Sequence, residues 1–403
     1  MKTLHIITRL IVGGAQENTL HTCEDQVDRH GDEVTLVIGP DAGPEGSLIE
    51  RAERGPTKLV VLDSLRRSIA PRSDVRAYRE IKRLIRERQP DVVHTHSSKA
   101  GIIGRAAAAA TDTPCVHTVH GASFHYGQNP AVSRAYIAAE HWAARRCDRI
   151  VSVCDAMTDV YVAAGVAPRD KFTTVYSGFD VDPFLTPVEP REQTRNRLGL
   201  QPDDIVAATV ARLFHLKGHE TLLDAAPAIA ADPRVKFLWV GDGVLRESYE
   251  ARIASMGLSD RFVFTGLVRP DEVPPLMHAA DLLVHPSQWE GLARVLPQAL
   301  IAARPCVSYD VGGAGEVVVD GETGRLLRIN DSDGLAGAVL ELAGDARLRE
   351  RMGQAGRELC SDLFRHELMT QRLREEYARA IDLHSRVRRQ RVAQSSSSAP
   401  SSP

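Results

Sequence analysis

Two cations follow a predicted strand in the C-terminal half of the chain. The apolar run Ile205 to Ala211 has the composition of a buried parallel strand, and Arg212 and Lys217 come soon after it. Open α/β sheets bind their ligands at the edge formed by the carboxyl ends of the strands. A guanidinium and an ammonium at that edge could hold a diphosphate without a metal ion, whereas two solvated surface cations are the simpler interpretation.

A carboxylate and an amide follow a second predicted strand, Leu282 to His285. The pattern after this strand predicts a helix that opens at Glu290 and includes Gln298, eight residues later. Backbone N–H groups at a helix start attract phosphate, and a carboxylate can accept hydrogen bonds from sugar hydroxyls. We interpret the stretch as a ligand-binding segment, with helix capping as the alternative role for Glu290.

Glycine pairs mark two further turns. Gly13-Gly14 lies between the first predicted strand and the first helix, where the backbone could approach a phosphate or simply form a tight turn. Gly312-Gly313 lies in a loop too rich in glycine for a plain strand-to-helix turn. This loop suggests the close approach of a ligand.

Two common nucleotide-binding classes are disfavoured. The chain contains no G-x-x-x-x-G-K-[ST] sequence, which excludes the P-loop class. The segment that starts at Gly241 ends in Arg246, where the dinucleotide fingerprint needs a small residue. An NAD-dependent dehydrogenase is therefore less favoured.

The elements that must position these residues alternate between strand and helix along 403 residues, enough for two to three domains. Prolines between Asp180 and Asp204 interrupt the alternation. We expect an α/β protein with two doubly wound parallel-sheet domains, residues 1–181 and 182–365. Residues 366–393 should form a helical segment that could pack back on the first domain, and the Ser- and Pro-rich residues 394–403 should be disordered.

The composition of the chain disfavours some functions and cellular locations. The formal net charge of -3 argues against a dedicated nucleic-acid binder. Six cysteines are scattered singly, as expected for reduced thiols in the cytoplasm. The N-terminus lacks the features of a signal peptide, and no run of about 18 apolar residues predicts a membrane-spanning helix.

An ordered series of motifs gives the chain a family resemblance. The motifs are Gly13-Gly14, Thr118-Val119-His120-Gly121, Ser177-Gly178-Phe179-Asp180, Arg212-Leu213 with Lys217-Gly218, Glu290 to Gln298, and Asp310-Val311-Gly312-Gly313. Over nearly the whole chain this series resembles the retaining glycosyltransferases of family four, which have the GT-B fold of two domains facing a central cleft. The chain departs from the family pattern at Gln298, where a second glutamate is usual, and glutamine keeps the acceptor capacity without the charge.

The resemblance implies metal-independent sugar transfer with retention, from a nucleotide diphosphate sugar (UDP weakly favoured) on the C-terminal domain to an acceptor on the N-terminal domain. The departing phosphate oxygen would take the acceptor proton. Arg212 and Lys217 would stabilise the leaving diphosphate, Glu290 would orient the sugar, and His120 would contact it. The residues expected to bind the donor are Gly13, Gly14, Gly241, Gly291, Leu292, Gln298, Gly312 and Gly313.

The expected acceptor side carries polar residues after another strand. Ser97 and Lys99 would line it, with a plain strand-to-helix turn as the alternative. The neighbouring His94 and His96 are expected to point to opposite sides of their strand, which would prevent chelation by both. Asp180-Val181-Asp182 mimics the D-x-D metal motif of single-domain glycosyltransferases but lies at the expected domain boundary, so we expect no metal and no cofactor.

Basic residues are concentrated in one part of the N-terminal half. Between Arg66 and Arg105 there are eleven cations and four acids. Cations near an anionic leaflet attract it by about 1 kcal/mol each. Family members of this type often extend a sugar linked to polyprenyl diphosphate, so the pattern suggests peripheral binding to the cytoplasmic leaflet, with a solvated basic helix as the simpler interpretation.

Other functions remain open from the sequence alone. A nucleotide-sugar epimerase or a phosphorylase could use the same fold, because a fold does not determine a function. A non-catalytic nucleotide-sugar-binding subunit is a further alternative, for which Gln298 is the hint.

Overall fold

The computed structural model describes residues 1–40, 43, 46–124 and 127–397. The chain divides into two compact units. Unit 1 contains Met1–Phe179 and the segment that begins at His366, and unit 2 contains Asp180–Arg365. Each unit has one sheet flanked by helices, which confirms the expected class of two doubly wound parallel-sheet domains.

Unit 1 has a seven-stranded sheet in the order β3-β2-β1-β4-β5-β6-β7, and its described strand pairs are parallel. Its strands are β1 Lys2–Ile6, β2 Glu33–Ile38, β3 Lys58–Val61, β4 Val92–His96, β5 Cys115–Val119, β6 Arg149–Ser152 and β7 Phe172–Thr174. Its first helices are α1 Gly14–Asp28, α2 Ile49–Arg54, α3 Pro71–Arg88, α4 Ser98–Ala109, α5 Pro130–Ala144 and α6 Asp155–Ala163. The strand order reverses between β1 and β4, where a doubly wound sheet leaves room for a ligand.

Unit 2 has a six-stranded parallel sheet in the order β10-β9-β8-β11-β12-β13. Its elements are α7 Asp182–Leu185, α8 Arg191–Arg197, β8 Ile205–Val210, α9 His219–Ile229, β9 Val235–Val240, α10 Arg246–Ser255, β10 Phe262–Gly266, α11 Val273–Ala279, β11 Leu282–His285, α12 Val295–Ile301, β12 Cys306–Tyr309, β13 Gly324–Leu327, α13 Ser332–Gly344 and α14 Ala346–Cys360. The reversal of strand order falls between β8 and β11.

Both faces of the unit 2 sheet are buried. Along β8, Ile205 and Ala207 belong to one apolar cluster, and Val206 and Ala208 belong to another. Successive side chains of a strand point to opposite faces, so the continuous apolar run of β8 supplies a core on each side. This burial fixes the strand whose carboxyl end leads to Arg212 and Lys217.

The last helix, α15, spans His366–Ser397 and packs on unit 1. Met369, Leu373 and Tyr377 are buried against the strands β4 to β6. Residues 394–397 belong to this helix, so the expected disorder is wrong for them, and residues 398–403 lie outside the described residues. The Ser-rich composition disfavours helix nucleation, but an existing helix can extend at much lower cost.

A buried ion pair anchors the start of α15. Nδ1 of His366 lies 2.7 Å from Oδ2 of Asp25 on α1, and the hydroxyl of Thr370 donates to the same oxygen at 3.0 Å. Burial disfavours the charged imidazolium, but the hydrogen bond and the charge of Asp25 outweigh that effect and raise the pKa of His366.

We predict that this pair makes the stability of unit 1 decrease with pH above about 6.5, the pKa of histidine in an unfolded chain. Because the folded pKa is raised, the stabilisation is complete below that pH and is lost as the pH rises through the folded pKa. Urea unfolding at pH 6 to 9 should show this decrease in the wild type and a smaller one in His366→Gln. Equal pH dependence in the two proteins would contradict the prediction.

Candidate functional site

The loops after β8 and β11 bring two of the expected site residues together in unit 2. Nζ of Lys217 lies 2.5 Å from Oε1 of Glu290, and both side chains are largely buried. The hydroxyl of Ser287 lies 2.8 Å from the same carboxylate oxygen. An opposite-charge pair therefore occupies the carboxyl edge of the sheet at the point where the strand order reverses.

The electrostatics of this pair keep Glu290 ionised. Burial alone would raise the pKa of Glu290, but His285 and Lys217 lower it to about 2. Nε2 of His285 lies 3.7 Å from the carboxylate. At neutral pH the carboxylate is an acceptor for hydroxyl groups as well as for Lys217.

Arg212 does not share the position of Lys217. Its side chain is exposed, and the centre of its guanidinium lies 5.4 Å from the centroid of the Phe214 ring. The structure therefore joins Lys217 to Glu290 rather than to Arg212.

Two glycines allow the loops to pack closely at this edge. Gly218 has a φ of 77°, and a Cβ there would lie 1.8 Å from the carbonyl oxygen of Pro286. Gly312 has a φ of 52°, and a Cβ there would lie 2.2 Å from the carbonyl oxygen of Gly291. Any other residue would push these loops apart, so glycine at both positions sets the width of the site.

The helix after β11 begins later than the sequence predicts. Helix α12 starts at Val295, so the expectation that Glu290 opens it is wrong. Instead, the carbonyl oxygen of Gly291 accepts a hydrogen bond from the backbone N–H of Gly313 at 2.7 Å. This contact and the side-chain contact with Lys217 hold residues 290–291 in a loop.

The other expected donor residues of unit 2 lie in α12 and in the segments after β9 and β11. Gln298 lies in α12, half-buried, with no side-chain hydrogen-bond partner among the described residues. Leu292 is buried, and Gly241 follows β9 and lies so close to Ala211 that a Cβ there would lie 2.2 Å from the carbonyl oxygen of Ala211. Gly241 and Leu292 follow β9 and β11 at the carboxyl edge of the sheet, whereas Gln298 lies in the first turn of α12.

In unit 1 the expected residues occupy the ends of β1 and β4. Gly13 precedes and Gly14 begins α1, after a loop that follows β1. The hydroxyl of Ser97, at the start of α4, lies 2.9 Å from that of Thr8. Lys99 forms a 2.5 Å ion pair with Asp74 of α3, so its ammonium is already partnered.

The histidines of β4 correct another expectation. The ring centroids of His94 and His96 are 4.1 Å apart, so the two side chains share one face of the sheet. Residues two apart in a strand point the same way, and the expectation of opposite sides was wrong. His5 of β1 lies on that face as well, with its Nδ1 3.1 Å from Nε2 of His96.

These three histidines could hold a metal ion by position alone, because one ring nitrogen of each lies within 4.8 Å of the others. In the structure all six ring nitrogens have hydrogen-bond partners. Their partners are Gln26, Tyr377, Thr118, His120 and, between His5 and His96, each other. A metal ion would have to break several of these bonds, and the candidate ligands within the described part of the chain are three imidazoles with no carboxylate beside them.

Sequence reasoning missed His5, Gln26 and Ser287. Ser287 contacts Glu290, and Gln26 contacts His5. A signal was present for His5, because the predicted pairing of β1 with β4 and the period of two along a strand would place it beside His94 and His96. The contact of Gln26 depends on how α1 packs, which no local pattern specifies.

Comparison with known proteins defines first the class and then the family. The fold resembles the structure of Anabaena HepE with UDP and glucose, with a TM-score of 0.79 and 22% identity over 94% of this chain and 99% of that chain. It also resembles a sucrose-phosphate synthase from Thermosynechococcus elongatus, with a TM-score of 0.81 and 20% identity over 94% of this chain and 98% of that chain. The chain has the GT-B fold of glycosyltransferases.

Sequence relatives are also glycosyltransferases. A 2-deoxystreptamine glucosyltransferase from Streptomyces kanamyceticus is 32% identical over 291 residues, 70% of this chain and 75% of the relative. A UDP-Gal:alpha-D-GlcNAc-diphosphoundecaprenol alpha-1,3-galactosyltransferase from Escherichia coli is 26% identical over 350 residues, 86% and 88%. Residues 190–359 match the glycosyl transferases group 1 family, and residues 13–178 match a glycosyl transferase 4-like domain.

The chain belongs to the group 1 glycosyl transferases, which confirms the family that the motifs indicate and the enzyme class, a glycosyltransferase of the hexosyltransferase type. Among the described residues, no helix is both long enough and apolar enough to cross a lipid bilayer.

We predict that Lys217 and Glu290 stabilise unit 2 as a pair. Lys217→Met leaves a buried carboxylate without its main partner and should lower the free energy of unfolding by about 1–3 kcal/mol. The double variant Lys217→Met with Glu290→Gln leaves no unpaired charge and should recover most of that loss. Urea unfolding of the two single variants, the double variant and the wild type forms the cycle. A double variant with the summed loss of the two singles would contradict the pairing.

Proposed function

We propose that this glycosyltransferase moves a sugar from a nucleotide diphosphate sugar, with UDP as the favoured nucleotide, to a glycan or lipid-linked acceptor, with retention and without a metal ion. The observation that carries the proposal is the Lys217–Glu290 pair where the strand order of unit 2 reverses. A cation and an ionised carboxylate at that edge match a ligand that has phosphates at one end and hydroxyls at the other.

In the proposed reaction the bond between the anomeric carbon and the β-phosphate oxygen breaks while the acceptor oxygen bonds to the same face of that carbon. The departing phosphate oxygen takes the acceptor proton. Lys217 and Arg212 stabilise the negative charge that develops on the diphosphate. Glu290 accepts hydrogen bonds from the sugar hydroxyls, and His120 of unit 1 donates one to the transferred sugar.

The remaining donor contacts are assigned to the loops at the sheet edges. Gln298 bonds the ribose through its amide, and Leu292 packs against the donor. Backbone groups of the glycine loops approach the diphosphate and the sugar, because glycine leaves the N–H groups open. These glycines are Gly13, Gly14, Gly241, Gly291, Gly312 and Gly313.

Donor and acceptor are proposed from the relatives together with the charges. The Escherichia coli relative is named for UDP-Gal and for an acceptor carried on diphosphoundecaprenol. The exposed cations Arg66, Arg67 and Arg72 favour an acceptor that carries phosphates. Arg105, also counted in this basic stretch, is fully buried against Glu140 and does not contribute to that surface. Ser97 and Lys99 lie after β4 of unit 1 and are assigned to the acceptor side.

A metal-dependent reaction would need carboxylate ligands, and the candidates are Asp180 and Asp182. Oδ1 of Asp180 accepts a hydrogen bond from the backbone N–H of Asp182 at 3.2 Å, and Asp182 forms a 3.1 Å ion pair with Arg365. These contacts use part of their ligand capacity. We therefore assign charge stabilisation to Lys217 and Arg212 alone.

Replacing Lys217 or Arg212 with alanine should lower turnover about 100-fold or more, the scale for loss of one preorganised charge-stabilising group. Lys236→Ala, a lysine of β9 that bonds the carbonyl of Asp260, is the matched control and should retain activity. Initial rates with UDP-glucose or UDP-galactose, with and without EDTA, make the test. Loss of activity in EDTA with rescue by manganese would refute the metal-independent assignment.

We further propose that unit 1 docks on the cytoplasmic leaflet through its basic surface. Arg66, Arg67 and Arg72 are exposed around Ile69, whose side chain is 79% exposed. An apolar side chain surrounded by cations suits an anionic lipid surface, because it can enter the headgroup region while the cations bind phosphates. Because exposed cations and an exposed apolar side chain occur together in the turn around Ile69, we assign the docking element to that turn.

Sedimentation with liposomes checks this proposal. Binding should require anionic lipid, weaken with salt, and fall at least about tenfold when Arg66 and Arg67 are replaced by Glu. The double replacement of Arg347 and Arg351 by Glu, two exposed arginines of α14 in unit 2, is the control with the same change in charge. Equal binding to neutral and anionic vesicles, or equal effects of the two double variants, would leave α3 as a solvated basic helix.

A further inference from the structure

A continuous hydrogen-bonded chain runs through the interior of unit 1 to His120. Nε2 of His120 lies 3.1 Å from Nδ1 of His96, and Nε2 of His96 lies 3.1 Å from Nδ1 of His5. Nε2 of His5 lies 2.9 Å from the amide nitrogen of Gln26. His5, His96 and Gln26 are fully buried, whereas His120 is half-buried at the end of β5.

Thr3 lies at the far end of this hydrogen-bonded series. Its hydroxyl donates to Oε1 of Gln26 at 2.8 Å, which leaves the amide NH2 of Gln26 facing His5. An amide nitrogen can only donate, so Nε2 of His5 must accept. The orientation of one amide therefore determines the role of the first imidazole.

The three imidazoles of this hydrogen-bonded series, those of His5, His96 and His120, are neutral at pH 7. Burial lowers the pKa of His5 and of His120 to about 4 and that of His96 well below its usual value. A neutral imidazole has one N–H and one acceptor nitrogen. If one nitrogen of a ring accepts a hydrogen bond, the other nitrogen must carry the proton and donate. Each ring in the series therefore accepts from the preceding residue and donates to the next.

The hydrogen bonds of His5 and His96 determine which nitrogen of His120 carries the proton. His5 accepts at Nε2 and donates from Nδ1, and His96 does the same. Nε2 of His120 must then accept, which leaves its proton on Nδ1. That nitrogen has no hydrogen-bond partner among the described residues, so it is available to a ligand.

We propose that Gln26, acting through His5 and His96, fixes His120 in the tautomer with its proton on Nδ1 and so makes it a neutral hydrogen-bond donor to the substrate. Gln26, His5 and His96 are positioning residues. The proposal rests on the proposed function for the statement that the ligand of His120 is the transferred sugar. The tautomer itself follows from the hydrogen bonds of unit 1.

The same geometry accounts for a buried polar cluster that would otherwise be costly. An unsatisfied buried imidazole nitrogen loses its hydration without compensation. In the chain each nitrogen of His5 and His96 has a partner with the opposite role. Reversal of the Gln26 amide would require all three rings to exchange proton and acceptor positions together.

The test combines a spectroscopic and a kinetic measurement on the full-length enzyme. The 15N NMR spectrum of histidine-labelled protein distinguishes protonated from unprotonated ring nitrogens, and His120→Gln assigns the signals. The wild type should show His120 protonated at Nδ1. Gln26→Leu, which removes the amide donor, should give a mixture of the two tautomers and lower kcat at least about tenfold with little change in donor KM.

A milder variant guards against loss of folding. Thr3→Val preserves the shape of the side chain but frees the Gln26 amide to reverse, so it should also mix the tautomers of His120. The matched control is Thr22→Val. Thr22 is another buried threonine, on α1, and its hydroxyl donates to the carbonyl of Asn18, away from the hydrogen-bonded series of Gln26, His5, His96 and His120. Thr22→Val should leave both the NMR spectrum and kcat unchanged.

The outcomes separate this proposal from the proposed function. A wild-type His120 protonated at Nε2, or a spectrum unchanged in both Gln26→Leu and Thr3→Val, would overturn the proposal even if sugar transfer is demonstrated. An Nδ1-protonated His120 that becomes mixed in these variants would support it even in an enzyme without transfer from the UDP-sugars tested. In that second case only the proposed substrate would be refuted.

Discussion

The structure depends on one topological constraint, the reversal of strand order in each parallel sheet. Chain connections leave in opposite directions from the two central strands, so the loops after those strands diverge and expose the carboxyl edge. In unit 2 these strands are β8 and β11, and the loops after them bring Lys217 to Glu290. In unit 1 they are β1 and β4, and they carry His5 and His96. The chemistry of both units follows from that placement.

The two units use this position with different electrostatics. Unit 2 holds a charged pair, in which the carboxylate stays ionised because Lys217 and His285 outweigh the effect of burial. Unit 1 holds neutral imidazoles, because burial lowers the pKa of His5, His96 and His120. A fixed charge suits the stabilisation of a phosphate, and a neutral donor of fixed direction suits a hydroxyl. The contrast comes from the residues packed around each position.

Much of the fold could be predicted from the sequence, because buried parallel strands appear as short apolar runs. The strands β8 and β11 fall on the predicted runs Ile205 to Ala211 and Leu282 to His285. The residues at which helices start and the contacts between distant residues are harder to predict from the sequence. Glu290 was placed at a helix start because local patterns do not reveal that Gly291 bonds to Gly313. Lys217 and Glu290 were each selected, but their pairing needs both the sheet order and the loop packing that Gly218 permits.

The histidine chain shows how strand register controls chemistry. In the sheet His5 pairs with His94, and His96 pairs with Thr118, two residues before His120. These side chains share one face because residues paired across neighbouring strands, and residues two apart along one strand, point to the same side of the sheet. A shift of one residue in any of the three strands would move its side chain to the opposite face and interrupt the hydrogen bonds. The direction of the final N–H of His120 therefore depends on the apolar core that holds β1, β4 and β5 in register.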